Sequence, residues 1–394
     1  MKSIIKQLEI VFRHVVVYPI LRLFLRNETR DAPITLTSVK KLLVLRDDGI
    51  GDMIVSTGLF RRLKQANPTL MLAVFASSRN AEIIRNNPFV DKVYVVYSNW
   101  LSTWREIRSA KAEQFDAVMN FVFNRTTTEG LLANYISPTG FKVGQGLAKY
   151  KFYFNRLLEL DRRKKHMVEV LAAFVDNVFG TAFSAEALHP EIYPDAVSRE
   201  TIDKFLFANV LRRRESEGEF KPFTVINFSA VDKVRRMSVK QTVAIVCTIR
   251  DLNLEVPVLI YPPAEHATMR MIIEDCGDSG VLAFPEQGGA TLLDLASLIE
   301  GASYVVTCDT SIVHFASAMR TPAFVLYTPT AAKNHEWTPY GIPYSALYAE
   351  LGEGVDAISH ERIRQSLRDF LRIVAARNNG IIGSAENDQQ AKET

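Results

Sequence analysis

Short apolar runs alternate with helical periods along most of this chain. The first run, KLLVLR at 41–46, has the length and composition of a buried strand and stops at a Gly-rich turn, DDGIGD at 47–52. A helical pattern follows from Met53 to about Gln65. The alternation then repeats: strand 70–76, helix 79–86, strand 92–97, helix 101–112, strand 116–123, helix 127–136. A middle stretch, 144–220, reads as helical and polar, with a basic cluster at Arg162, Arg163, Lys164 and Lys165. Its end, LRRRESEGEFKP at 211–222, reads as an interdomain linker or exposed loop. The alternation restarts with strand 223–229, helix 238–250, strand 256–261, helix 264–275, strand 281–284, helix 290–300, strand 304–307 and helix 311–319. Strand 322–327 closes this set and a final helix spans about 357–376. Strands separated by helical stretches predict βαβ units and parallel sheets. The predicted fold is therefore α/β, two Rossmann-like domains facing a cleft. Their spans are 41–220 and 221–377, after a segment and linker at 1–40 and before a polar, disordered tail at 378–394.

Composition narrows the class. Net charge is only +3 on 394 residues, too balanced for a general nucleic-acid binder. Basic residues concentrate at 1–30, where Lys2, Lys6, Arg13, Arg22, Arg26 and Arg30 face Glu9 and Glu28. The apolar stretch there is interrupted by Arg13 and Arg22 and lacks a small-residue cleavage site, so neither a spanning helix nor a secretory signal is expected. Two readings stay open: an amphipathic helix lying in a membrane interface, or a helix packed on the body. The cysteines, Cys247, Cys276 and Cys308, have no metal or disulfide spacing, and a reducing cytoplasm fits them.

Candidate chemistry falls where strands become helices. In Arg46-Asp47-Asp48-Gly49-Ile50-Gly51-Asp52 the glycines let the backbone approach a ligand, and Asp52 stands at or next to the helix start. Asp52 could equally be only a helix cap. The spacing is not the dinucleotide fingerprint, which argues against a nicotinamide dehydrogenase. In Thr307-Cys308-Asp309-Thr310-Ser311-Ile312-Val313-His314 a second helix start offers amides suited to a pyrophosphate; His314 is one turn in, or simply packed on the sheet. Asn227-Phe228-Ser229-Ala230, followed by Lys233, Arg235 and Arg236, could neutralise a leaving diphosphate or form a solvated basic loop. Glu265, in Pro263-Ala264-Glu265-His266, could accept ribose hydroxyls or act as a first-turn glutamate.

The ordered set of these segments resembles the heptosyltransferases, glycosyltransferase family nine. It comprises LVLRDDGIGDMIVSTGLFRRLKQANP, NNPFVDKV, FDAVMNF, GFKVGQG, KKHMVEVLAAF, NFSA, PPAEH, VTCDTSIVHFASAMRTPAFVLYTPT and PYG, in order over roughly 41–345. The resemblance implies the two-domain GT-B architecture and an inverting, metal-independent transfer of a sugar, ADP-heptose being the expected donor, to a lipopolysaccharide or lipooligosaccharide core acceptor. It assigns Asp52 as general base. It places Asp309, Thr310, Ser311, His314, Glu265, Ser229 and Lys233 or Arg235 on the donor, and Gly49, Gly51, Arg61, Arg62 and Lys64 on the acceptor. No cofactor beyond the nucleotide-sugar co-substrate and no metal site is expected. The implied partners are that nucleotide sugar, a lipid-linked oligosaccharide and, through residues 1–30, the cytoplasmic face of the inner membrane. Two departures stand out: Ser311 replaces the usual glycine of the donor loop, and Arg235-Arg236-Met237-Ser238 replaces the usual K-x-W-P. A different nucleotide-sugar donor, a sugar-nucleotide epimerase and a non-catalytic membrane-associated homologue are the alternatives.

Overall fold

A computed structural model describes residues 13–378, apart from 26, 124–125, 163–164, 215, 217, 253–254, 278–279 and 330–334. Residues 1–12 of the basic segment, Arg163, Lys164 and the tail from 379 thus lie outside the described residues.

Two six-stranded parallel sheets carry the chain, as the alternation predicts. The first holds β1 (Lys41–Leu45), β2 (Met71–Ser77), β3 (Lys92–Val96), β4 (Ala117–Asn120), β5 (Phe141–Gln145) and β6 (Arg156–Leu158), in the order β3-β2-β1-β4-β5-β6. The second holds β7 (Phe223–Asn227), β8 (Val256–Ile260), β9 (Leu282–Phe284), β10 (Val305–Cys308), β11 (Ala323–Tyr327) and β12 (Tyr344–Tyr348), in the order β12-β11-β10-β7-β8-β9. Strand order reverses between β1 and β4 and between β7 and β10. In open parallel sheets, ligands bind outside the carboxyl ends of strands at such points.

Three strands escaped the hydrophobic pattern. β5 and β6 lie in or beside the stretch read as helical and polar, and β12 follows the strand read as last. β6 and β12 pair with a single neighbour each and are only partly buried, so their sequences lack the apolar run of a central strand. The helix expected at 79–86 is a single 3-10 turn, Ala81–Ile84. The stretch 27–40 is no free linker: Leu36 and Val39 are buried, and the Asn67 amide donates to both their carbonyls at 3.0 and 2.9 Å.

The helices are α1 (Tyr18–Phe24), α2 (Ile50–Ala66), α3 (Trp100–Ala112), α4 (Thr126–Ile136), α5 (Met167–Phe179), α6 (Ala196–Ala208), α7 (Val239–Leu252), α8 (His266–Asp275), α9 (Leu292–Gly301), α10 (Ile312–Ala318) and α11 (His360–Asn378). The outer face of the first sheet is covered by α3 and α4, through Ala110, Ala133 and Ile136. The outer face of the second is covered by α7 and α11. A single apolar core joins the inner faces, where α2 and α5 of the first half meet α9 and α10 of the second. Segment 211–222 is tied to the second half: Arg213 bonds Asp203 and the Ser297 carbonyl, and Arg214 donates to the carbonyls of Met319 and Arg320.

Gly58 shows how closely α2 is overlain. A Cβ there would fall 2.4 Å from the Leu188 carbonyl oxygen and 2.5 Å from that of His189. Gly58→Ala is therefore expected to cost about 1–3 kcal/mol, the usual scale of overpacking, and to lower the midpoint of thermal unfolding. An unchanged midpoint would mean that segment 188–189 does not rest on α2.

Candidate active site

β1 is fully buried from Leu42 to Leu45 and delivers Arg46 into the interior, only 1% exposed. Its guanidinium donates to the carbonyls of Asp52 (2.8 Å) and Phe121 (2.6 Å) and to Ser56 Oγ (3.1 Å). It also faces the carboxylates of Asp48 at 3.1 Å and Asp52 at 3.5 Å. Asn80 closes the turn from behind, donating to the carbonyls of Arg46 and Gly49 at 3.0 and 3.2 Å.

Asp52 does not cap its helix. Gly49 holds the N-cap position in extended conformation with no side-chain cap, and Asp52 is the third helical residue. The capping alternative thus gives way to another arrangement. The carboxylate folds back over Gly49, where a Cβ would stand 2.4 Å from Oδ2, and it stays accessible at 30% exposure. Burial pushes the neighbouring Asp48 up to about 6, against the pull of Arg46 and with a further push from Asp52.

The second half organises its turn around an amide. Asn227, at the end of β7, donates to Thr307 Oγ1 (3.0 Å) and Thr310 Oγ1 (3.1 Å) and accepts from Ser229 Oγ (3.1 Å). Asp309 pairs with Arg235 at 3.3 Å; burial holds its carboxyl above the ordinary range, and Arg235 opposes that rise. Glu265 pairs with Arg236 at 2.6 Å and accepts from Thr268 at 2.9 Å. Arg236, read only as part of the altered basic loop, is thus what holds Glu265. Lys233 stands exposed in the turn Lys233–Arg235.

The two turns meet at one contact. Ser311 is the N-cap of α10 and His314 its third residue, buried against the start of α2. A Cβ on Gly51 would fall 2.5 Å from His314 Cδ2 and 3.1 Å from Nε2. The Trp337 ring lies edge-on at 5.7 Å. Burial, followed by the charge of Arg46, lowers His314 to about 4, so the imidazole is neutral near pH 7. Its Nδ1 has no hydrogen-bond partner among the described residues.

A second histidine, missed as a site residue, ties the halves nearby. His166 Nδ1 accepts from the Val168 amide at 3.1 Å, which places the ring proton on Nε2, donated to the Thr338 carbonyl at 2.9 Å. With Glu169 it forms a capping box on α5, and its ring lies 4.6 Å from that of Tyr340. His-x-x-Glu at the head of an apolar helix was the available signal. Arg162 reaches across in the same way, to Glu336 at 2.6 Å.

Three predicted acceptor residues are not brought to this site. At 1.5 Å rise per residue, Arg61 lies about 14 Å along α2 from Asp52. It is held by Glu191 at 2.8 Å, while Arg62 bonds Gln65 at 3.0 Å and Lys64 bonds Asp91 at 2.9 Å. Arg61 and Lys64 thus tie α2 to its own half, while the Arg62 bond stays within the helix. The room for a ligand lies elsewhere. A polar cavity of about 820 Å³, lined by Phe123, Thr126, Thr127, Thr128, Gln145, Gly146, Leu147, Tyr150, Glu159 and Leu160, opens beyond the carboxyl ends of β4, β5 and β6.

The two glycines are expected to separate kinetically. Gly49→Ala displaces Asp52 and should lower kcat, while Gly51→Ala displaces His314 and should raise the KM for donor, each about 10-fold or more. Identical effects on both constants would show that the two contacts are one structural unit. Asp48 adds a stability signature. Its folded-state value of about 6 exceeds the ordinary 3.8, so the folded protein binds the extra proton and loses stability as pH rises from about 4 to 6. Asp48→Asn should therefore raise the free energy of unfolding at pH 7.5, by at most about 3 kcal/mol, and leave it unchanged at pH 4. A free energy that falls at pH 7.5 would mean that the Asp48 charge stabilises the turn.

Comparison with known proteins places this geometry. The sequence profile of glycosyltransferase family 9 (heptosyltransferase) matches residues 105–362. A Haemophilus influenzae protein described as a glycosyltransferase is 34% identical over 97 residues; the match covers 24% of this chain and 28% of that relative. The glycosyl transferase family 9 structure from Veillonella parvula superposes with a TM-score of 0.71 at 16% identity, covering 88% of this chain and 99% of that one. The E. coli ADP-heptose LPS heptosyltransferase II gives 0.65 at 19% identity, covering 85% and 100%. These likenesses establish the fold, and the profile match, running from α3 into α11, establishes the lineage: the chain belongs to glycosyltransferase family 9.

Proposed function

We propose that this chain transfers a heptose from ADP-heptose to a sugar hydroxyl of a lipid-linked lipopolysaccharide-core acceptor, inverting the anomeric centre and using no metal. The observation that supports the reading is the contact of Gly51, the residue before Asp52, with His314 of the second half. The acceptor oxygen attacks the anomeric carbon as the bond to the diphosphate breaks. Its proton passes to the Asp52 carboxylate, and ADP departs with the bonding pair. Arg46 orients Asp52 from the buried side, leaving its other oxygen for the acceptor.

Donor recognition falls to the second half. The neutral His314 can donate a hydrogen bond to a phosphate oxygen at ordinary pH, where an imidazolium is not needed. Arg235, half exposed beside Asp309, meets the developing diphosphate charge together with Lys233 and the hydroxyls of Ser229, Thr310 and Ser311. Glu265, fixed by Arg236, faces the ribose. The choice of ADP-heptose draws on the E. coli heptosyltransferase whose name carries that donor. The cavity beyond β4–β6 takes the acceptor sugar, and the enzyme works at the cytoplasmic face of the inner membrane.

Asp52→Ala is expected to reduce turnover about 100-fold or more while leaving donor affinity nearly intact. Calorimetric titration with ADP-heptose, ADP and UDP, in the presence of EDTA, should show binding of the adenine nucleotides. A preference for UDP would reassign the donor, and a fully active Asp52→Ala enzyme would remove the base from the mechanism.

A further inference from the structure

We infer that the outer face of the first half, formed by α1, α4 and α3, is a docking surface for an anionic lipid bilayer. The inference rests on the proposed lipid-linked acceptor for its biological sense, but it is carried by a separate observation. Large apolar side chains stand in solvent on all three helices. Leu23 and Phe24 of α1 are 70% and 77% exposed, and Trp100 at the start of α3 is 72% exposed. Leu131 and Tyr135 of α4 are also exposed, as are Leu101 and Trp104 of α3.

These residues form one surface. Trp104 and Tyr135 pack ring to ring at 5.2 Å, joining α3 to α4. Asn134 of α4 accepts from Asn27 just beyond α1 at 2.9 Å, and Thr127 bonds Tyr18 at 3.2 Å, joining α4 to α1. Contiguous exposed apolar area on this scale marks an interaction site.

The chemistry selects a bilayer. Tryptophan and tyrosine favour the water–lipid interface, where an apolar ring and a polar tip are both satisfied. On α3, Leu101, Trp104, Arg105 and Arg108 recur at helical spacing along one exposed stripe, so cations flank the aromatics. Lys111 lies over the Tyr135 ring at 3.9 Å and Arg22 over Phe152 at 5.2 Å. Against these cations, α1, α3 and α4 offer one exposed or half-exposed acid, Glu106, among the described residues. A second copy of this chain would set cation against cation; anionic headgroups answer them. The sequence ahead of α1 is also apolar and basic, with Lys2 and Lys6 against Glu9 among Ile4, Ile5, Leu8, Ile10, Val11 and Phe12. No helix of the described residues is long and apolar enough to cross a membrane.

The placement also explains the cavity. Thr127 and Tyr150 line it and both touch Tyr18, so α1 forms part of its rim. A lipid anchored in the bilayer against α1 and α4 would present its sugar to that opening.

The test uses the full-length protein and vesicles of phosphatidylglycerol and phosphatidylethanolamine carrying brominated acyl chains. Two of the three tryptophans, Trp100 and Trp104, lie on the face, so binding should quench fluorescence. The variant Trp100→Ser/Leu101→Ser/Trp104→Ser should float with such vesicles about 10-fold less. Transfer to a delipidated, water-soluble acceptor should be unchanged, with an unaltered unfolding midpoint confirming the fold. Unquenched fluorescence, equal flotation of the variant, equal binding to neutral phosphatidylcholine vesicles, or concentration-dependent dimerisation abolished by the substitutions would each overturn the inference. Vesicle binding that persists while wild-type transfer fails would instead sink the proposed reaction and leave the docking surface standing.

Discussion

A buried guanidinium sets the terms for the rest of this site. Arg46 carries its charge in the interior, where oxygen atoms have to answer it. The carbonyls of Asp52 and Phe121, the Ser56 hydroxyl and two carboxylates supply that answer. These groups come from three places: the end of β1, the first turns of α2 and the exit of β4. Satisfying one cation therefore fixes the relative position of three elements around the first switch point. It also fixes the direction of Asp52, and its field reaches the neighbouring half, where it helps keep His314 neutral.

The second half meets the same topological need with neutral chemistry. Asn227 plays the organising role there, its amide spanning Thr307, Thr310 and Ser229 where β7 and β10 diverge. The difference suits the division of labour. In the proposed reaction, the cation behind Asp52 holds the carboxylate that accepts the proton. An uncharged hub beside Asp309 leaves Arg235, the cation paired with it, exposed to solvent, where the proposed donor would bring its phosphates.

Much of this was legible in the chain. Central parallel strands are buried on both faces, so β1, β2, β7, β8, β10 and β11 read as apolar runs, and the two chemical turns follow two of them. The edges were not legible, because β6 and β12 are partly wet and mixed in composition. β5 was obscured by Lys142, a residue that reads as surface. Its ammonium is buried beneath the end of α4, donating to the carbonyls of Ser137, Pro138 and Gly140, and burial lowers it to about 8. The contact of Gly51 with His314 joins positions over 260 residues apart, and no local pattern announces it. Arg61, Arg62 and Lys64 were named because the motif was read as a site along its whole length, although a helix carries its last turns far from its first.

Helix α6 alters the mechanics of the molecule. It precedes the second sheet in sequence, yet it packs on α9, with Arg199 paired to Glu300 and Phe205 edge-on to Phe284 at 5.1 Å. Glu191, only a few residues earlier, is still bonded to α2 through Thr57 and Arg61. Among the described residues, the chain thus passes from one half to the other in the short stretch just before α6. The halves are joined there by one covalent thread and elsewhere by the shared apolar core, the Gly51–His314 contact and the side-chain clasps of Arg162 and His166. The backbone just before α6 is thus the covalent link between two bodies that otherwise hold each other through packing and side-chain bonds.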